Sequence, residues 1–189
     1  PKYPIPHTVN PLGVEPTKPR FITDMQFVNL WMAAPEFVMA GVRIAPELVT
    51  IGQSFLGSID HKSGYFHMGL HRRSMKYFGF WYNGVYYTFQ VLCFGWSVSC
   101  YIYQTLGEAV VQHLASLGIP STIWIDDMLI TGFIGDDTKG IHPFVSLMDS
   151  MFVVLTVLTD LGYFLSLSKS EFWPLLVIRF LGIMVDCGT

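Results

Sequence analysis

The sequence predicts an α+β domain in which short strands and two long helices follow one another without regular alternation. The 189 residues are 51% hydrophobic and 13% charged. This composition suffices for one domain with a real core, and it excludes disordered, collagen-like and coiled-coil chains. Two segments have helical periodicity, and the apolar runs around them have the length of strands. Because strands and helices do not alternate one by one, an α+β fold is favoured over a doubly wound sheet.

The first third of the chain is predicted to be mostly extended. Six prolines among residues 1–20 exclude a helix and indicate an extended arm. Phe21–Leu30 is compatible with a strand that ends in a turn, and Pro46–Ile51 with a short helix that opens on proline. Phe55–Ile59 is a short apolar run, and we expect it to be a strand that delivers the carboxylate of Asp60 at its end.

The middle of the chain predicts a hairpin and a helix. Residues 83–84 are Asn-Gly between aromatic and β-branched runs, which is a strong signal for a two-residue hairpin turn. The two strands would be Tyr77–Tyr82 and Val85–Gln90. Apolar residues at three- and four-residue spacing then predict a helix over Tyr101–Leu117, with Gly118 as its cap.

The C-terminal third predicts paired strands and one more helix. Strands are expected at Ser121–Ile125 and Met128–Thr131, with Asp126 and Asp127 between them. The remaining predicted elements are a helix at His142–Leu161 closed by Gly162, and a last hairpin of Phe172–Leu176 with Ile178–Val185.

Composition limits the class of protein further. The formal net charge of -3 gives no global argument for nucleic acid. Three cysteines are too few and too irregular for a disulfide framework or a zinc site, and they predict a reduced, intracellular protein of the cytoplasm or nucleus. No apolar stretch reaches the roughly 18 clean residues that a spanning helix needs, so no membrane partner is expected. The chain starts at Pro1 without a signal segment and ends at Thr189 just after an apparent strand, so both ends are expected to be cuts through a longer polypeptide.

Two adjacent carboxylates, Asp126 and Asp127, interrupt the apolar run Ile123–Ile130. Two like charges in an apolar setting are unfavourable unless something positive compensates them. One interpretation is a surface turn with two solvated acids. The other is a cation site, because a second apolar strand ends in Asp60 and carboxylate oxygens suit Mg²⁺. Two such cations would stabilise both the attacking and the leaving oxygen of a phosphoryl transfer.

Five segments of the sequence resemble reverse transcriptases, in the order and spacing of that family. Ser58–His67 resembles the first catalytic motif, and Trp124–Asp127 resembles the aromatic-x-Asp-Asp signature. The other three are Lys18–Asn29, similar to a fingers segment, Val91–Cys100, similar to the template and nucleotide motif, and Arg179–Gly182, which resembles the primer-grip hairpin. The tract Tyr77–Gln90 is similar to retrotransposon enzymes, among which the tyrosine-recombinase (DIRS-type) elements look closest.

This resemblance implies the palm of a right-handed polymerase with part of the fingers. The palm would be a ferredoxin-like antiparallel sheet with helices on one face. Residues 1–189 would form a single reverse transcriptase domain fragment, with 1–58 mostly fingers and 59–189 mostly palm, interrupted by a fingers hairpin at 77–90. The thumb and RNase H regions of a longer polyprotein would be missing from the chain.

The resemblance also implies an activity. The chain would be an RNA-directed DNA polymerase, a nucleotidyltransferase that adds a dNMP to a primer 3′-hydroxyl on an RNA or DNA template and releases pyrophosphate. Its cofactor would be two Mg²⁺ ions, with Mn²⁺ as a substitute, and its partners a primed template and a dNTP.

Two alternatives to an active reverse transcriptase remain open. The first is a catalytically inactive, decayed or truncated retroelement fragment that keeps only the fold and nucleic-acid binding. Cys93 and Cys100 favour it, because the family normally has prolines at those positions. The second is an RNA-directed RNA polymerase. Tyr65 argues against it, because a bulky aromatic residue there should exclude ribonucleotides.

The resemblance assigns roles to individual residues. Asp60 and Asp126 would hold the two Mg²⁺ ions, and Asp127 would support them. Taken alone, Tyr65 is compatible with a core aromatic residue and Arg20 with a solvated arm residue, so the roles depend on the whole set of motifs. The other implied roles are nucleotide binding by Arg20, Tyr65, Phe94 and Gly95, primer positioning by Phe180, Leu181 and Gly182, and proton donation to pyrophosphate by Lys169.

A positive strip accompanies these motifs. From His61 to Gly107 the sequence has no Asp or Glu. The cations in that stretch are Lys62, Arg72, Arg73 and Lys76. One interpretation is contact with the phosphates of a primer–template duplex, since lysine and arginine neutralise backbone charge without reading sequence. An ordinary solvated face is the other.

Overall fold

The computed structural model describes residues 5–17, 20–39, 47–49, 51–52, 54–132 and 141–188. The chain divides into two compact units, here called unit 1 and unit 2. Unit 1 consists of Pro1–Phe37 and Tyr65–Tyr103, and unit 2 of Val38–Gly64 and Gln104–Thr189. The predicted division at residue 58, with a fingers hairpin at 77–90, stays a prediction.

The described residues form eleven strands and three α-helices. In chain order these are β1 (Val9–Asn10), β2 (Leu12–Val14), β3 (Phe21–Thr23), α1 (Gln26–Leu30), β4 (Leu56–Asp60), β5 (Gly79–Tyr82), β6 (Val85–Thr88), α2 (Ser97–Ser116), β7 (Ser121–Trp124), β8 (Asp127–Thr131), α3 (Pro143–Asp160), β9 (Glu171–Leu175), β10 (Val177–Phe180) and β11 (Ile183–Asp186). Two short 3-10 helices lie at Gly64–His67 and Met75–Tyr77.

Unit 2 is built on a four-stranded antiparallel sheet with the order β7-β8-β4-β9. Side chains alternate between the faces of a strand, and residues paired across two strands share a face. The helices cover one face: an added Cβ at Gly57 would lie 2.7 Å from Met151 of α3, and one at Gly107 of α2 would lie 2.9 Å from Ile123 of β7. Gly57 and Ile123 share a face because they pair with Ile130 and Met128 on β8. The prediction of an antiparallel sheet with helices on one face is thus confirmed.

The opposite face of this sheet is covered by the hairpin β10–β11. Leu56 and Leu129 on that face are buried in one apolar cluster with hairpin residues. The hairpin side of the cluster consists of Ile178, Phe180, Val185 and Cys187. Its two-residue turn has positive φ at both Leu181 (50°) and Gly182 (83°), the conformation of a type I′ turn.

Helix α3 begins and ends as its sequence predicts. The Nδ1 atom of His142 accepts a hydrogen bond from the Phe144 N–H (3.2 Å), and a proline occupies the first turn. After the last turn, Gly162 has a φ of 83° and the Tyr163 N–H donates to the Leu158 carbonyl (2.9 Å).

Among the described residues, α3 is the one helix long and apolar enough to cross a membrane by length and composition, and 33% of that stretch is buried. Six of its residues are buried, at spacings that repeat every three to four positions: Ser146, Leu147, Ser150, Met151, Val154 and Leu158. A stripe of this kind is typical of a helix packed on a sheet. The expectation of no membrane partner stays a prediction.

Unit 1 contains a three-stranded sheet with the order β1-β5-β6 and a two-stranded sheet of β2 and β3. The side-chain amide of Asn10 donates to the carbonyls of Tyr77 (3.0 Å) and Gly79 (2.9 Å), which fixes β1 beside β5. A Cβ at Gly79 would lie 2.4 Å from the Thr8 carbonyl oxygen, so that position requires glycine.

Several predicted elements agree with the structure. The Asn-Gly hairpin, the strand ending at Asp60, the two long helices and the strands around the Asp-Asp pair are present. Gly118 also ends its helix as predicted, with a φ of 78° and a hydrogen bond from Ile119 N–H to the Leu114 carbonyl (3.0 Å). Helix α2 starts earlier than expected, at Ser97.

The described part of the predicted extended arm at residues 1–20 contains no helix, and β1 and β2 within it pair with β5 and β3. Other predictions were wrong. Only Phe21–Thr23 of the predicted strand Phe21–Leu30 is a strand, and its second half is helix α1. The predicted last hairpin pairs Phe172–Leu176 with Ile178–Val185, which is incorrect. The first of these segments lies in β9, which pairs with β4, and the second contains both strands of the hairpin β10–β11. A hydrophobic run does not say which neighbour it will pair with, so the sequence could not separate these choices.

The short helix predicted at Pro46–Ile51 lies partly outside the described residues. Within the described part, Glu47 and Leu48 have 3-10 conformation.

Candidate active site

Sheet register brings two of the predicted catalytic acids together. Asp60 is the last residue of β4 and Asp127 the first of β8, and the two residues are paired directly across these strands. They share a face, which is the one opposite to the helices. Asp126 precedes Asp127 in the two-residue turn of the hairpin β7–β8, and its carbonyl accepts a hydrogen bond from the His61 N–H (2.8 Å).

The turn that carries Asp126 has an uncommon backbone. Ile125 has a φ of 56°, whereas β-branched residues rarely adopt positive φ. Gln104 of α2 supports this conformation. Its side-chain oxygen accepts from the Ile125 N–H (2.8 Å), and its side-chain nitrogen donates to the Ile123 carbonyl (3.1 Å) and to Glu108 (3.1 Å). Gln104 is 1% exposed, so these bonds replace water for a buried amide.

A loop after α3 holds the other side of Asp60. The Ser166 N–H donates to the Asp60 carbonyl (2.8 Å), and the Asp60 N–H donates to Oγ of Ser170 (3.0 Å). The Ser170 hydroxyl donates in turn to the Ser166 carbonyl (2.8 Å). The β4–β9 pairing does not extend to Asp60, so the Ser170 hydroxyl stands where a strand partner would accept that N–H.

The same loop places a cation on the Asp60 carboxylate. Nζ of Lys169 lies 3.2 and 3.3 Å from the two carboxylate oxygens of Asp60. The Asp60 side chain is 13% exposed and that of Lys169 is 63% exposed. Solvent reaches the exposed Lys169 ammonium and weakens the pair, while the Asp60 carboxylate is mostly buried.

The three carboxylates interact electrostatically. Burial raises the pKa of Asp127, the charges of Asp126 and Asp60 raise it further, and the Lys169 ammonium opposes these effects. Burial and like charges both disfavour the ionised form of a carboxyl group. A cation between these acids would relieve the repulsion.

The donor set fits a divalent cation. Over the described part of the chain, no three His, Cys, Asp or Glu side chains converge as a preformed metal site. The acids at this end of the sheet nevertheless offer carboxylate oxygens, the ligands that Mg²⁺ prefers. Burial and the charges of Asp126 and Asp60 raise the pKa of Asp127, and the Lys169 ammonium lies on Asp60, so this end of the sheet favours positive charge. The metal ions themselves stay a prediction.

A small cavity joins the acids to the predicted primer grip. It has a volume of about 90 Å³, and its lining includes Asp60, Asp127, Lys169, Phe180 and Leu181. Phe180 is 4% exposed and belongs to the cluster under the hairpin β10–β11, so it is a core residue here. Gly182 lies beyond it in the exposed turn.

Unit 1 brings the four predicted nucleotide-binding residues together from three chain segments. The rings of Tyr65 and Phe94 have centroids 5.0 Å apart, and Cζ of Arg20 lies 5.5 Å from the centroid of Phe94. Gly95 follows Phe94 directly. Tyr65 also contacts Tyr103 at 5.7 Å, edge to face. Tyr65 is half-buried, so its packing and its predicted role in nucleotide binding are compatible.

The loop at Phe94 and Gly95 is tied to the preceding fingers segment. The Thr23 N–H donates to the Phe94 carbonyl (3.2 Å). Gly95 has a φ of 101°, and a Cβ there would lie 1.9 Å from the Thr23 carbonyl oxygen, so only glycine fits. The Asn29 amide nitrogen donates to the Gly95 carbonyl (3.0 Å), while its oxygen accepts from the Ser97 N–H and hydroxyl (both 3.1 Å). Asn29 and Gly95 also line an open cleft of about 500 Å³.

The predicted template-contacting cations fall in different parts of the molecule. Lys62 belongs to unit 2, and Arg72, Arg73 and Lys76 belong to unit 1. Lys62, Arg72 and Arg73 are exposed, and Nζ of Lys76 lies 4.9 Å from the ring centroid of Tyr77. Their contact with a template stays a prediction.

Sequence reasoning missed three supporting residues. Gln104, Ser170 and Asn29 hold the backbone of predicted site residues rather than reaching a substrate themselves. Asn29 is the last residue of Lys18–Asn29, the segment that resembles the fingers, so its place in that motif could have indicated a role. A polar residue on the buried face of α2 was the signal for Gln104. Nothing in the sequence distinguishes Ser170 from other serines.

A comparison with protein-family models covers most of the chain. The family model described as "Reverse transcriptase (RNA-dependent DNA polymerase)" matches residues 38–185. The chain belongs to the reverse transcriptase family. Curated protein sequences gave no match to this reverse transcriptase.

Solved structures support the same fold. The chain is similar to the foamy viral protease-reverse transcriptase dRH in complex with ds DNA, with a TM-score of 0.77 and 17% identity over 98% of this chain and 31% of that chain. It is also similar to the foamy viral protease-reverse transcriptase with dsDNA (TM-score 0.76, 16% identity, 97% of this chain and 36% of that chain). The same protein in complex with RNA/DNA hybrid has a TM-score of 0.70 and 18% identity over 97% of this chain and 23% of that chain.

These comparisons confirm the predicted palm-and-fingers fold and the reverse transcriptase family. They also confirm the class of the family as nucleotidyltransferases. The chain spans about a third of the length of the first two solved relatives. The DIRS-type subfamily and the role of each site residue stay predictions.

Proposed function

We propose that this reverse transcriptase domain catalyses RNA-directed DNA synthesis at the carboxylate end of the unit 2 sheet. The observation that carries the proposal is the direct pairing of Asp60 with Asp127, with Asp126 in the adjoining turn and Lys169 on the Asp60 carboxylate. Phosphoryl transfer depends mainly on positioning and on neutralisation of charge, which such a cluster supplies.

The reaction would proceed by in-line displacement. The primer 3′-hydroxyl gives up its proton to solvent as its oxygen forms a bond to the α-phosphorus of the dNTP, the bond from that phosphorus to the oxygen bridging to the β-phosphate breaks, and pyrophosphate leaves. Two bound Mg²⁺ ions, held by Asp60 and Asp126 with support from Asp127, would neutralise the charge on the attacking and leaving oxygens. Mn²⁺ could replace them. Lys169 would leave Asp60 and donate a proton to the departing pyrophosphate.

The resemblance assigns nucleotide binding to residues that all lie within unit 1. Arg20 would bind the triphosphate, and Tyr65, held between Phe94 and Tyr103, would exclude a 2′-hydroxyl. The Gly95 loop would shape the pocket, since its backbone is fixed by Thr23 and Asn29. Leu181 and Gly182 would position the primer end, and the buried Phe180 would contribute by anchoring their hairpin in the core.

Primer extension on poly(rA)·oligo(dT) with Mg²⁺ and dTTP tests this function. Extension by the chain should fall by at least about a thousandfold in Asp126→Asn, because removing one metal ligand removes the charge neutralisation that the transition state needs. Gln112→Ala, an exposed substitution on α2, serves as the control. Extension that persists in Asp126→Asn would contradict the proposed site.

Selection against ribonucleotides is a separate test. Tyr65→Ala should accept rUTP on the same template while dTTP extension continues, and Tyr65→Phe should behave like the parent chain. A Tyr65→Ala variant with no gain in ribonucleotide use would contradict this role. A parent chain that already prefers rUTP would instead support an RNA-directed RNA polymerase.

An inactive fragment is the second candidate. Cys93 and Cys100 favour it, because they stand where the family normally has prolines. Such a fragment would bind a primed duplex but show no change on Mg²⁺ addition that depends on Asp126. Binding without extension in the parent chain, and no Mg²⁺-dependent shift in melting temperature, would favour this candidate.

The source and setting of the domain are part of the proposal. We expect a retrotransposon of the DIRS type, and an intracellular setting in the cytoplasm or nucleus. The partners would be a primed RNA or DNA template, a dNTP, and thumb and RNase H regions of a longer polyprotein. Extension activity that rises when the chain is produced with its natural flanking sequence would support the last of these.

A further inference from the structure

We propose that Lys169 is an exchangeable counter-ion of the candidate active site. Its ammonium occupies the Asp60 carboxylate until a divalent cation takes that place, and the exchange releases the ammonium towards the phosphates of the nucleotide. The inference rests on the proposed function for the metal and the nucleotide. The contacts within unit 2 support the ion pair and the fixed loop that carries it.

The Lys169 ammonium contacts both oxygens of the Asp60 carboxylate. Nζ lies 3.2 Å from one oxygen and 3.3 Å from the other. A divalent cation binds a carboxylate through the same oxygens, and two cations on one carboxylate repel each other. The ammonium and a metal ion therefore compete for Asp60.

The charge of Lys169 also reaches the second acid of the pair. Asp127 is paired with Asp60 across β4 and β8. Burial and the charges of Asp126 and Asp60 raise the pKa of Asp127, and the Lys169 ammonium opposes these effects. Lys169 thus supplies part of the positive charge that this group of acids requires, which is the contribution that a bound cation would make in its place.

The loop that carries Lys169 is fixed by its backbone. The Ser166 N–H donates to the Asp60 carbonyl (2.8 Å), and the Lys62 N–H donates to the Phe164 carbonyl (2.8 Å). Within the loop, the Lys169 N–H donates to the Ser166 carbonyl (3.1 Å). Release of the ammonium therefore needs only rotation of the lysine side chain, whose four-carbon stem is flexible.

Burial differs between the two partners in the way that an exchange requires. The Asp60 side chain is 13% exposed, whereas that of Lys169 is 63% exposed. The acid is held at the end of β4 while its cation already reaches solvent, so an exchange moves the cation and leaves the carboxylate in place. A purely stabilising ion pair is the alternative, and it would not respond to a metal ion.

The exchange links the metal to the nucleotide. The proposed function gives the Lys169 ammonium a second anionic partner, the departing pyrophosphate. Linkage between two binding events is reciprocal, so a phosphate group that draws Lys169 away from Asp60 raises the metal affinity of the site by the same factor by which the metal favours that phosphate contact.

Binding of Mn²⁺, measured from the electron paramagnetic resonance signal of the free ion, tests the competition. Lys169→Met should bind Mn²⁺ about fivefold more tightly than the parent chain, because the competing charge is gone. Lys169→Arg keeps that charge and should resemble the parent chain. Arg179→Gln is the matched control. Arg179 lines the same cavity and has no ion pair with a described residue, so its loss should change the affinity by less than about twofold.

Release of the ammonium can be measured directly. Brief acetylation with acetic anhydride, followed by peptide mass spectrometry, reports how accessible each lysine amine is. Addition of Mg²⁺ should increase labelling of Lys169 about threefold and leave the exposed Lys62 unchanged as an internal reference. In Asp126→Asn the effect of Mg²⁺ on Lys169 should disappear.

The outcomes separate this inference from the proposed function. Equal Mn²⁺ affinity of the parent chain and Lys169→Met, with binding that depends on Asp126, would overturn the exchange and leave the proposed metal site intact. Absence of Mn²⁺ binding from every variant would contradict the metal site and the exchange together. Tighter Mn²⁺ binding with weaker primer extension in Lys169→Met would support the exchange, because a merely structural lysine would not change the two in opposite directions.

Discussion

The hairpins β5–β6 and β7–β8 make their turns in different ways. Both reverse direction through two residues, and both have a non-glycine residue with positive φ at the first turn position, Asn83 at 48° and Ile125 at 56°. Asparagine followed by glycine adopts such a turn readily, whereas isoleucine does not. Local sequence is therefore enough for the first turn, and the second depends on contacts from elsewhere in the fold.

The contacts in question come from one glutamine and one backbone N–H. The Gln104 side chain accepts a hydrogen bond from the Ile125 N–H and donates one to the Ile123 carbonyl. The His61 N–H donates a hydrogen bond to the Asp126 carbonyl. The turn held in this way is the one that carries the predicted metal-binding acids. Backbone strain that the surroundings enforce is a recurrent feature of functional sites.

The largest effect that tests this comparison is expected from Gln104→Ala. The substitution leaves the partly buried Ile125 N–H and the buried Ile123 carbonyl without their partner, so the free energy of unfolding should fall by about 2–3 kcal/mol. Urea denaturation measures the change. Gln112→Ala on the same helix is exposed and should change stability by less than about 0.5 kcal/mol. Equal effects of the two substitutions would mean that Gln104 does not support the turn.

A second test places isoleucine in the other turn. Asn83→Ile puts a β-branched residue at positive φ with no glutamine to hold it, so stability should fall by about 1–2 kcal/mol. Differential scanning calorimetry would detect this as a lower melting temperature. Asn83→Asp, which tolerates the left-handed region, is the control and should cost less. An unchanged melting temperature in Asn83→Ile would show that the first turn, too, is fixed by its surroundings.

The reverse change, Ile125→Gly, should have a smaller effect on stability. Relief of the unfavourable φ is offset by the greater backbone entropy of glycine in the unfolded chain, so the net change should stay within about 1 kcal/mol. Primer extension should nevertheless fall, because a freer turn positions Asp126 less firmly. Full activity in Ile125→Gly would contradict a role for the enforced conformation.

The smallest expected effect concerns the acid that follows the turn. The pKa of Asp127 is raised by burial and by the charges of Asp126 and Asp60. The folded state therefore holds more protons than the unfolded state from the ordinary Asp pKa of about 3.9 up to the raised value, and stability falls as pH rises through that window. With EDTA present, Asp127→Asn should be more stable than the parent chain above the window and should show a weaker pH dependence. A parent chain whose stability instead rises across this pH range would contradict the repulsion.

Much of the fold could be predicted from local patterns. Periodicity identified both long helices, Asn83-Gly84 identified one hairpin, and Gly162 and Gly118 marked helix ends. Pairing between distant strands could not be predicted in this way. β9 joins β4 across more than a hundred residues, and nothing in a five-residue apolar run specifies a partner so far away. The helix α1 was missed because its five residues lack the length over which a helical period can be recognised.

The sequence by itself determined which acids, which aromatic residues and which glycines stand at the candidate sites, because motif spacing and residue chemistry are local properties. Only the tertiary structure decided that Asp60 faces Asp127, that Lys169 lies on Asp60, and that Arg20, Tyr65 and Phe94 come together. These contacts depend on sheet register and on the closure of loops between residues that are far apart in the chain. The same dependence explains the isoleucine turn, where the tertiary contacts of Gln104 and His61 outweigh a local preference of about 1–2 kcal/mol.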